Sequence, residues 1–371
     1  MKALLAEQLL AEVTGIQDLA HLTEITQRLR TLADIKYDDY GGYTPGVRFI
    51  ESLAVWLSEF KQEDRETALN FVLHRLAYIS ATELDHLVST VYKDMLRPRL
   101  LKAVAAELGI PSWSVKKIAS SPEFLSRQRR TLILGMSDGA RLDKLRRASP
   151  LSTEQFHLVS TVDDEKASDM SAKLAEALES MNLPGEAKFS LVIVVDDFSG
   201  SGTTMLRREG DGWKGKLPKI HNHVTNLKTS GVIAEDAHVI VLLYLLTKLA
   251  QSQLAARMAE AGYLEPEVSL VAAHTFDDDF PLTENSDPEF WKLCSAYFRE
   301  EWDNAHSGLA GDLSHGFGGS ALPLVIHHNA PNNAPPIIWK DESIEGRKSD
   351  DSLSEWLGVF PRHERHHPGR P

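Results

Sequence analysis

The sequence predicts an α/β fold, a mostly parallel sheet flanked by helices and preceded by a helical region. Three observations carry that expectation. Apolar residues recur at helical spacing up to about residue 130, and short β-rich runs alternate with helical stretches after it. One of those runs contains Val192-Ile-Val-Val195, four β-branched residues in succession, the pattern of a strand buried on both faces at the centre of a parallel sheet.

The first segment, residues 1–13, has an apolar run interrupted by Glu7 and followed by Glu12, so it reads as an amphipathic helix rather than a signal peptide. Residues 49–60 and 66–76 keep apolar side chains on one helical face. Their aromatic stripe, Trp56, Phe60, Phe71 and then Tyr78, reads as core packing, with a surface for a protein partner as the functional alternative. These elements make up an expected helical region, residues 1–129.

An α/β domain is expected over 130–341. Its strands would be 131–135, 156–162, 189–195, 238–244, 268–273 and 322–327, and its helices 166–181, 203–209, 219–230, 247–262 and 287–304. No internal repeat is visible. From 342 to 371 apolar periodicity is lost, so a flexible C-terminal tail is expected, with one anchor at Trp356, Leu357 and Phe360.

Composition excludes several classes. A formal charge of -13 over 371 residues argues against a broad nucleic-acid surface, which needs many Lys and Arg contacts to phosphates, while leaving a local contact open. The longest apolar run, 239–246, is far short of the roughly 20 residues that span a bilayer, so a soluble cytoplasmic protein without a membrane partner is expected. Cys294 is the only cysteine and reads as a buried thiol. His363-Glu-Arg-His-His367 matches a zinc pattern that needs a helix, but Pro368-Gly369 follows at once and the tail reading is preferred. His327 and His328 alternate across an expected strand, so both cannot face one metal.

The chemistry concentrates at 192–204. Asp196 and Asp197 follow the strand at its carboxyl end, where open α/β sheets bind ligands. Phe198-Ser-Gly-Ser-Gly-Thr-Thr204 then forms a small-residue loop expected to open a helix at 203–209. Glycines let consecutive amides converge, and hydroxyls with a helix N-terminus add donors and positive potential, which suits a phosphate. Carboxylates repel a phosphate but suit vicinal hydroxyls. Acids and loop together describe a ribose 5-phosphate site. The loop lacks the Gly-x4-Gly-Lys of a nucleoside-triphosphate loop, and Met205 stands where a dinucleotide loop has its third glycine.

This succession of strand, paired acids and Ser201-Gly202-Thr203-Thr204 resembles the signature of type I phosphoribosyltransferases. The resemblance implies a type I phosphoribosyltransferase-like fold that binds phosphoribosyl pyrophosphate, or a related phosphorylated ribose, with Mg. It assigns Asp196 and Asp197 to the ribose hydroxyls, touching the metal only through those hydroxyls or water. Ser199, Gly200, Ser201, Gly202, Thr203 and Thr204 become the phosphate loop. Gly200 departs from purine-salvage members, which place an aspartate there for the incoming base.

Upstream, Ser137-Asp-Gly139 and Arg141 follow the strand 131–135, and Lys144, Arg146 and Arg147 come next. Their position resembles the family's pyrophosphate loop, so Ser137, Asp138, Gly139 and Arg141 are candidates for binding the diphosphate; the alternative is a turn before a solvated basic helix. Asn329, Asn332 and Asn333 either line the pocket or cap local turns. The Gly-Phe-Gly and Asn-rich succession of 315–339, with Trp56-Leu57 and Phe60, is similar to a bacterial phosphoribosyltransferase-like group found in conflict and defence loci. That likeness implies an antiviral effector as one role. The expected activity is phosphoribosyl transfer with pyrophosphate release; the alternative is a non-catalytic sensor or regulatory module acting through a protein partner on its helical region.

Overall fold

A computed structural model describes residues 3–159, 164–262, 268–302, 313–342 and 355–362. Backbone contacts divide the chain into two units, Leu84–Asp277 and the combination of Met1–Glu83 with Asp278–Pro371. This division differs from the sequence boundaries at 129/130 and 341/342. Helices Arg97–Leu108, Val115–Ala119 and Pro122–Arg129 belong with the sheet unit because Leu100, Leu101, Val104, Ile118 and Phe124 pack together with Leu191 of the sheet.

The described strands, in chain order, are β1 (Ala77–Ile79), β2 (Thr131–Gly135), β3 (Phe156–Leu158), β4 (Phe189–Ser199), β5 (Arg207–Glu209), β6 (Gly212–Lys214), β7 (Ile233–Thr247), β8 (Val268–Phe276) and β9 (Leu324–Ile326). In the Leu84–Asp277 unit, β3-β2-β4-β7-β8 form a five-stranded sheet in that order with every pairing parallel. The expected parallel sheet flanked by helices is therefore formed. Val192 to Val195 are completely buried at its centre. Val192 and Val194 face a core shared with Leu174 of Asp164–Ser180, Ile220 of Lys216–Thr229 and Leu254 of Lys248–Ala261. Each such fully buried aliphatic side chain contributes about 1.5–3 kcal/mol, which explains why this strand anchors the sheet.

Three expected elements differ. No helix forms at 203–209: Met205 and Leu206 are buried, and β5 pairs antiparallel with β6 across a two-residue Gly210-Asp211 turn in which Gly210 has φ 61°. A turn that needs positive φ favours glycine and sets the hairpin, and this outweighs a few residues of helical spacing. The run 322–327 contributes β9, but β9 pairs in parallel with β1 in the other unit instead of joining the large sheet. The helix expected at 287–304 spans Pro288–Ala296, followed by a short 3-10 turn at Glu300–Trp302. The end of the strand expected at 156–162 falls partly outside the described residues.

In the Met1–Glu83 and Asp278–Pro371 unit, Trp56, Phe60, Phe71 and Tyr78 are all buried, and Phe71 stacks on Phe290 with centroids 3.8 Å apart. The aromatic stripe is core, so these side chains offer no docking surface. Trp356, Val359 and Phe360 join the same core, and the indoles of Trp56 and Trp356 both donate to the Ile337 carbonyl at 2.7 and 3.1 Å. Residues 355–362 are thus packed structure within the expected tail; the remainder of that tail, including the His363–His367 pattern, lies outside the described residues. Cys294 is buried, which pushes its thiol well above the ordinary range. Among the described residues no helix is long and apolar enough to cross a membrane.

Candidate functional site

β4 does not stop at Val195. It continues in register with β7 through the acids, pairing Asp196 with Leu243 and Ser199 with Leu246. Successive side chains on a strand point to opposite faces, so Asp196 and Asp197 occupy different environments. Asp196 shares the face of Val192 and Val194 and is completely buried. Its Oδ1 accepts a hydrogen bond from Ser137 Oγ at 2.8 Å, and its Oδ2 accepts one from Lys216 Nζ. Burial raises the Asp196 carboxyl above the usual carboxylate range and the charge of Asp197 adds to this, while Lys216 and Ser137 oppose it.

Asp197 is half-buried, and its Oδ1 accepts from the Phe198 amide at 2.8 Å. A Cβ on residue 139 would stand 2.6 Å from Asp197 Oδ2, so a side chain there would displace the carboxylate from its place against the 137–141 backbone. Two acids that look equivalent in sequence therefore divide: one is fastened inside the protein, the other lies against a neighbouring loop.

That neighbouring loop is the Ser137-Asp138-Gly139 segment. The Met136 amide donates to the Val195 carbonyl at 3.0 Å, Ser137 reaches Asp196, and the buried Tyr244 of β7 donates from its hydroxyl to the Ala140 carbonyl at 2.5 Å. Arg141 adopts φ 46°, in the left-handed region. Its guanidinium lies 2.5 Å from Asp85, and Lys144 Nζ lies 2.8 Å from the other oxygen of the same carboxylate. Asp138 is exposed. Among the described residues, the Arg146 and Arg147 side chains form no hydrogen bond or ion pair with either acid or with the 200–204 loop.

The loop after β4 is fixed from below. Thr247 Oγ1 donates to the Gly200 carbonyl at 2.6 Å and accepts from the Ala250 amide at 3.0 Å, capping helix Lys248–Ala261. Gly202 has φ 72°, and a Cβ there would stand 2.8 Å from Leu254 Cγ. Ser201 Oγ donates to Thr203 Oγ1 at 3.2 Å. The Met205 and Leu206 amides both turn back onto the Gly202 carbonyl. Among the described residues, the amides of Ser201, Gly202 and Thr204 donate to no protein acceptor, which leaves three backbone donors on one tight turn. The expected helix N-terminus is not there to reinforce them. Instead the chain passes through β5 and β6, and helix Lys216–Thr229 begins with the Lys216 amide donating to the Thr204 carbonyl at 3.0 Å.

The structure thus brings Ser137 and Gly139 to the acid pair and keeps 199–204 contiguous with it. Asn333 belongs to the other unit and caps a local turn there, donating to the Phe317 carbonyl at 3.1 Å and Ser320 Oγ at 3.0 Å. Sequence reasoning missed Lys216, Tyr244, Thr247 and Asp85. Thr247 carried a signal, a hydroxyl at the junction of a strand and an amphipathic helix.

Among the described residues no group of three or more His, Cys, Asp or Glu is placed to hold a metal ion. Both Asp196 oxygens are already engaged, so this donor set does not fit a magnesium ion ligated by the protein alone.

A family model described as PRTase-CE matches residues 53–362. No curated protein and no solved structure matches the chain.

Proposed function

The chain belongs to the PRTase-CE family, which is phosphoribosyltransferase-like, and from that premise we propose that it binds phosphoribosyl pyrophosphate and transfers its phosphoribosyl group. The observation that carries the reading is the hydrogen bond from Ser137 to Asp196. It fastens the 137–141 loop to the acids at the carboxyl end of the sheet, beside the three unengaged amides of 201–204.

In this reading the amides of Ser201, Gly202 and Thr204, with the hydroxyls of Ser199, Ser201, Thr203 and Thr204, hold the 5-phosphate. Gly200 lies at the start of this loop, its carbonyl held by Thr247. Asp197 is the acid that meets the ribose hydroxyls, and Asp196 is the positioning acid behind it. Ser137, Asp138, Gly139 and Arg141 receive the diphosphate. Magnesium enters with the diphosphate as part of the substrate. A nucleophilic acceptor forms a bond to the anomeric carbon as the bond to the diphosphate oxygen breaks, and pyrophosphate departs with the electron pair. Arg141 and the loop amides stabilise the charge gathering on that leaving group. No covalent bond to the protein is required.

Gly200 favours a second reading. It cannot supply a carboxylate to a purine, which supports a sensor that binds the ligand without transferring it. A defence effector using the same pocket is supported by the family's association with conflict systems. Pyrophosphate release measured with phosphoribosyl pyrophosphate, magnesium and pooled nucleobases separates the transferase from the sensor: turnover supports the transferase, saturable binding without turnover supports the sensor, and the absence of both overturns both.

A further inference from the structure

The 137–141 loop ends in an ion cluster. One carboxylate, Asp85 of helix Ala81–Thr90, bridges two cations, with Oδ1 2.5 Å from Arg141 Nη1 and Oδ2 2.8 Å from Lys144 Nζ. Guanidinium and ammonium groups brought this close repel each other unless an anion lies between them. Burial raises the Asp85 carboxyl, but the hydrogen bond from Lys144 and the charges of Arg141 and Lys144 outweigh it and hold the group below the usual range. The cluster is reachable from solution, since the Asp85 side chain is 31% exposed and that of Lys144 46%.

The loop has anchors besides Asp85. Ser137 fastens its start to Asp196, and Tyr244 fastens the Ala140 carbonyl immediately before Arg141. Arg141 is therefore presented by a backbone anchored elsewhere, and Asp85 is an addition to it. A carboxylate that gives one oxygen to each of two cations makes the same contacts as two oxygens of one phosphoryl group.

We infer that Asp85 is an internal stand-in for the diphosphate: it closes Arg141 and Lys144 on each other in the free protein and is displaced when a diphosphate arrives. The inference rests on the reading that the 137–141 loop receives the diphosphate. Its consequence is a built-in competitor that weakens binding of pyrophosphate-bearing ligands and leaves the 201–204 loop to select for phosphorylated ribose.

Calorimetric titration of the full chain with inorganic pyrophosphate, and separately with ribose 5-phosphate, tests this. Asp85→Asn should raise the ratio of pyrophosphate to ribose 5-phosphate affinity by roughly fivefold, the scale of a partly exposed ion pair. Arg141→Gln should abolish that gain when combined with Asp85→Asn. A ratio that stays level or falls in Asp85→Asn, or a gain that survives Arg141→Gln, overturns the inference while ribose 5-phosphate binding keeps the broader reading intact. A wild-type protein that binds neither ligand overturns both. Asp85→Ser is the second variant, and failure of both variants to fold also overturns the inference, because a displaceable contact cannot be indispensable to the fold.

Discussion

Lys216 reaches Asp196 from the first turn of the helix that follows the hairpin, so one buried carboxylate ties together β4, the 137–141 loop and helix Lys216–Thr229. Burial makes this an expensive place for a negative charge, and the two donors offset only part of that cost.

A pH dependence follows. The folded-state pKa of Asp196 is raised above its unfolded value of 3.8, by burial first and then by Asp197. A raised group contributes stability that is fully present below the unfolded pKa and lost as pH rises through the folded pKa. The ionised carboxyl is therefore less favourable in the fold than its protonated form, and the wild type should gain unfolding temperature relative to Asp196→Asn as pH falls from 7 toward 4. Thermal unfolding across this series checks it; parallel curves for the two proteins would contradict it.

Gly202→Ala should strain the phosphate loop twice over, through φ 72° and through the 2.8 Å approach of its Cβ to Leu254. A loss of about 1–3 kcal/mol in denaturant unfolding is expected, together with weaker ribose 5-phosphate binding. Full stability with unchanged affinity would remove this loop from the account.

Tyr244→Phe removes a single hydroxyl whose hydrogen bond holds the Ala140 carbonyl in a fully buried position. The expected cost is about 1 kcal/mol, read by denaturant unfolding, with faster amide exchange in the 137–141 segment. Unaltered exchange there would mean that the loop is held by its other contacts alone.

Phe360→Ala should cost about 3–5 kcal/mol in denaturant unfolding, because Phe360 is completely buried among Tyr37, Tyr40 and Phe49. A change below about 0.5 kcal/mol is what a solvated tail would give.

How much of this was legible depends on whether a signal is local. The run of four β-branched residues at 192–195 places β4 at the sheet centre without any tertiary knowledge. The same run misleads at its end. Apolar patterning stops at Asp196, whereas ladder pairing continues to Ser199, and only that continuation puts the two acids on opposite faces. Gly210-Asp211-Gly212 was a readable hairpin signal that helical spacing obscured. In Leu324-Val-Ile326 nothing reveals which strand it will join, and β9 chose β1. Lys216 and Asp85 were beyond reach for a different reason. They lie 20 and 56 residues from Asp196 and Arg141, and pairing over such separations is set by the fold.

The central claim is that the acids and the 201–204 loop together bind phosphoribosyl pyrophosphate, with Asp197 as the acid that meets the ribose. Calorimetric titration of that ligand, with magnesium, into the wild type and into Asp197→Asn tests it most directly. The account predicts saturable binding at one site per chain, weakened by about tenfold or more in the variant, the loss of one charge-assisted pair of contacts. Absence of binding to the wild type, or equal affinity in both proteins, would contradict it.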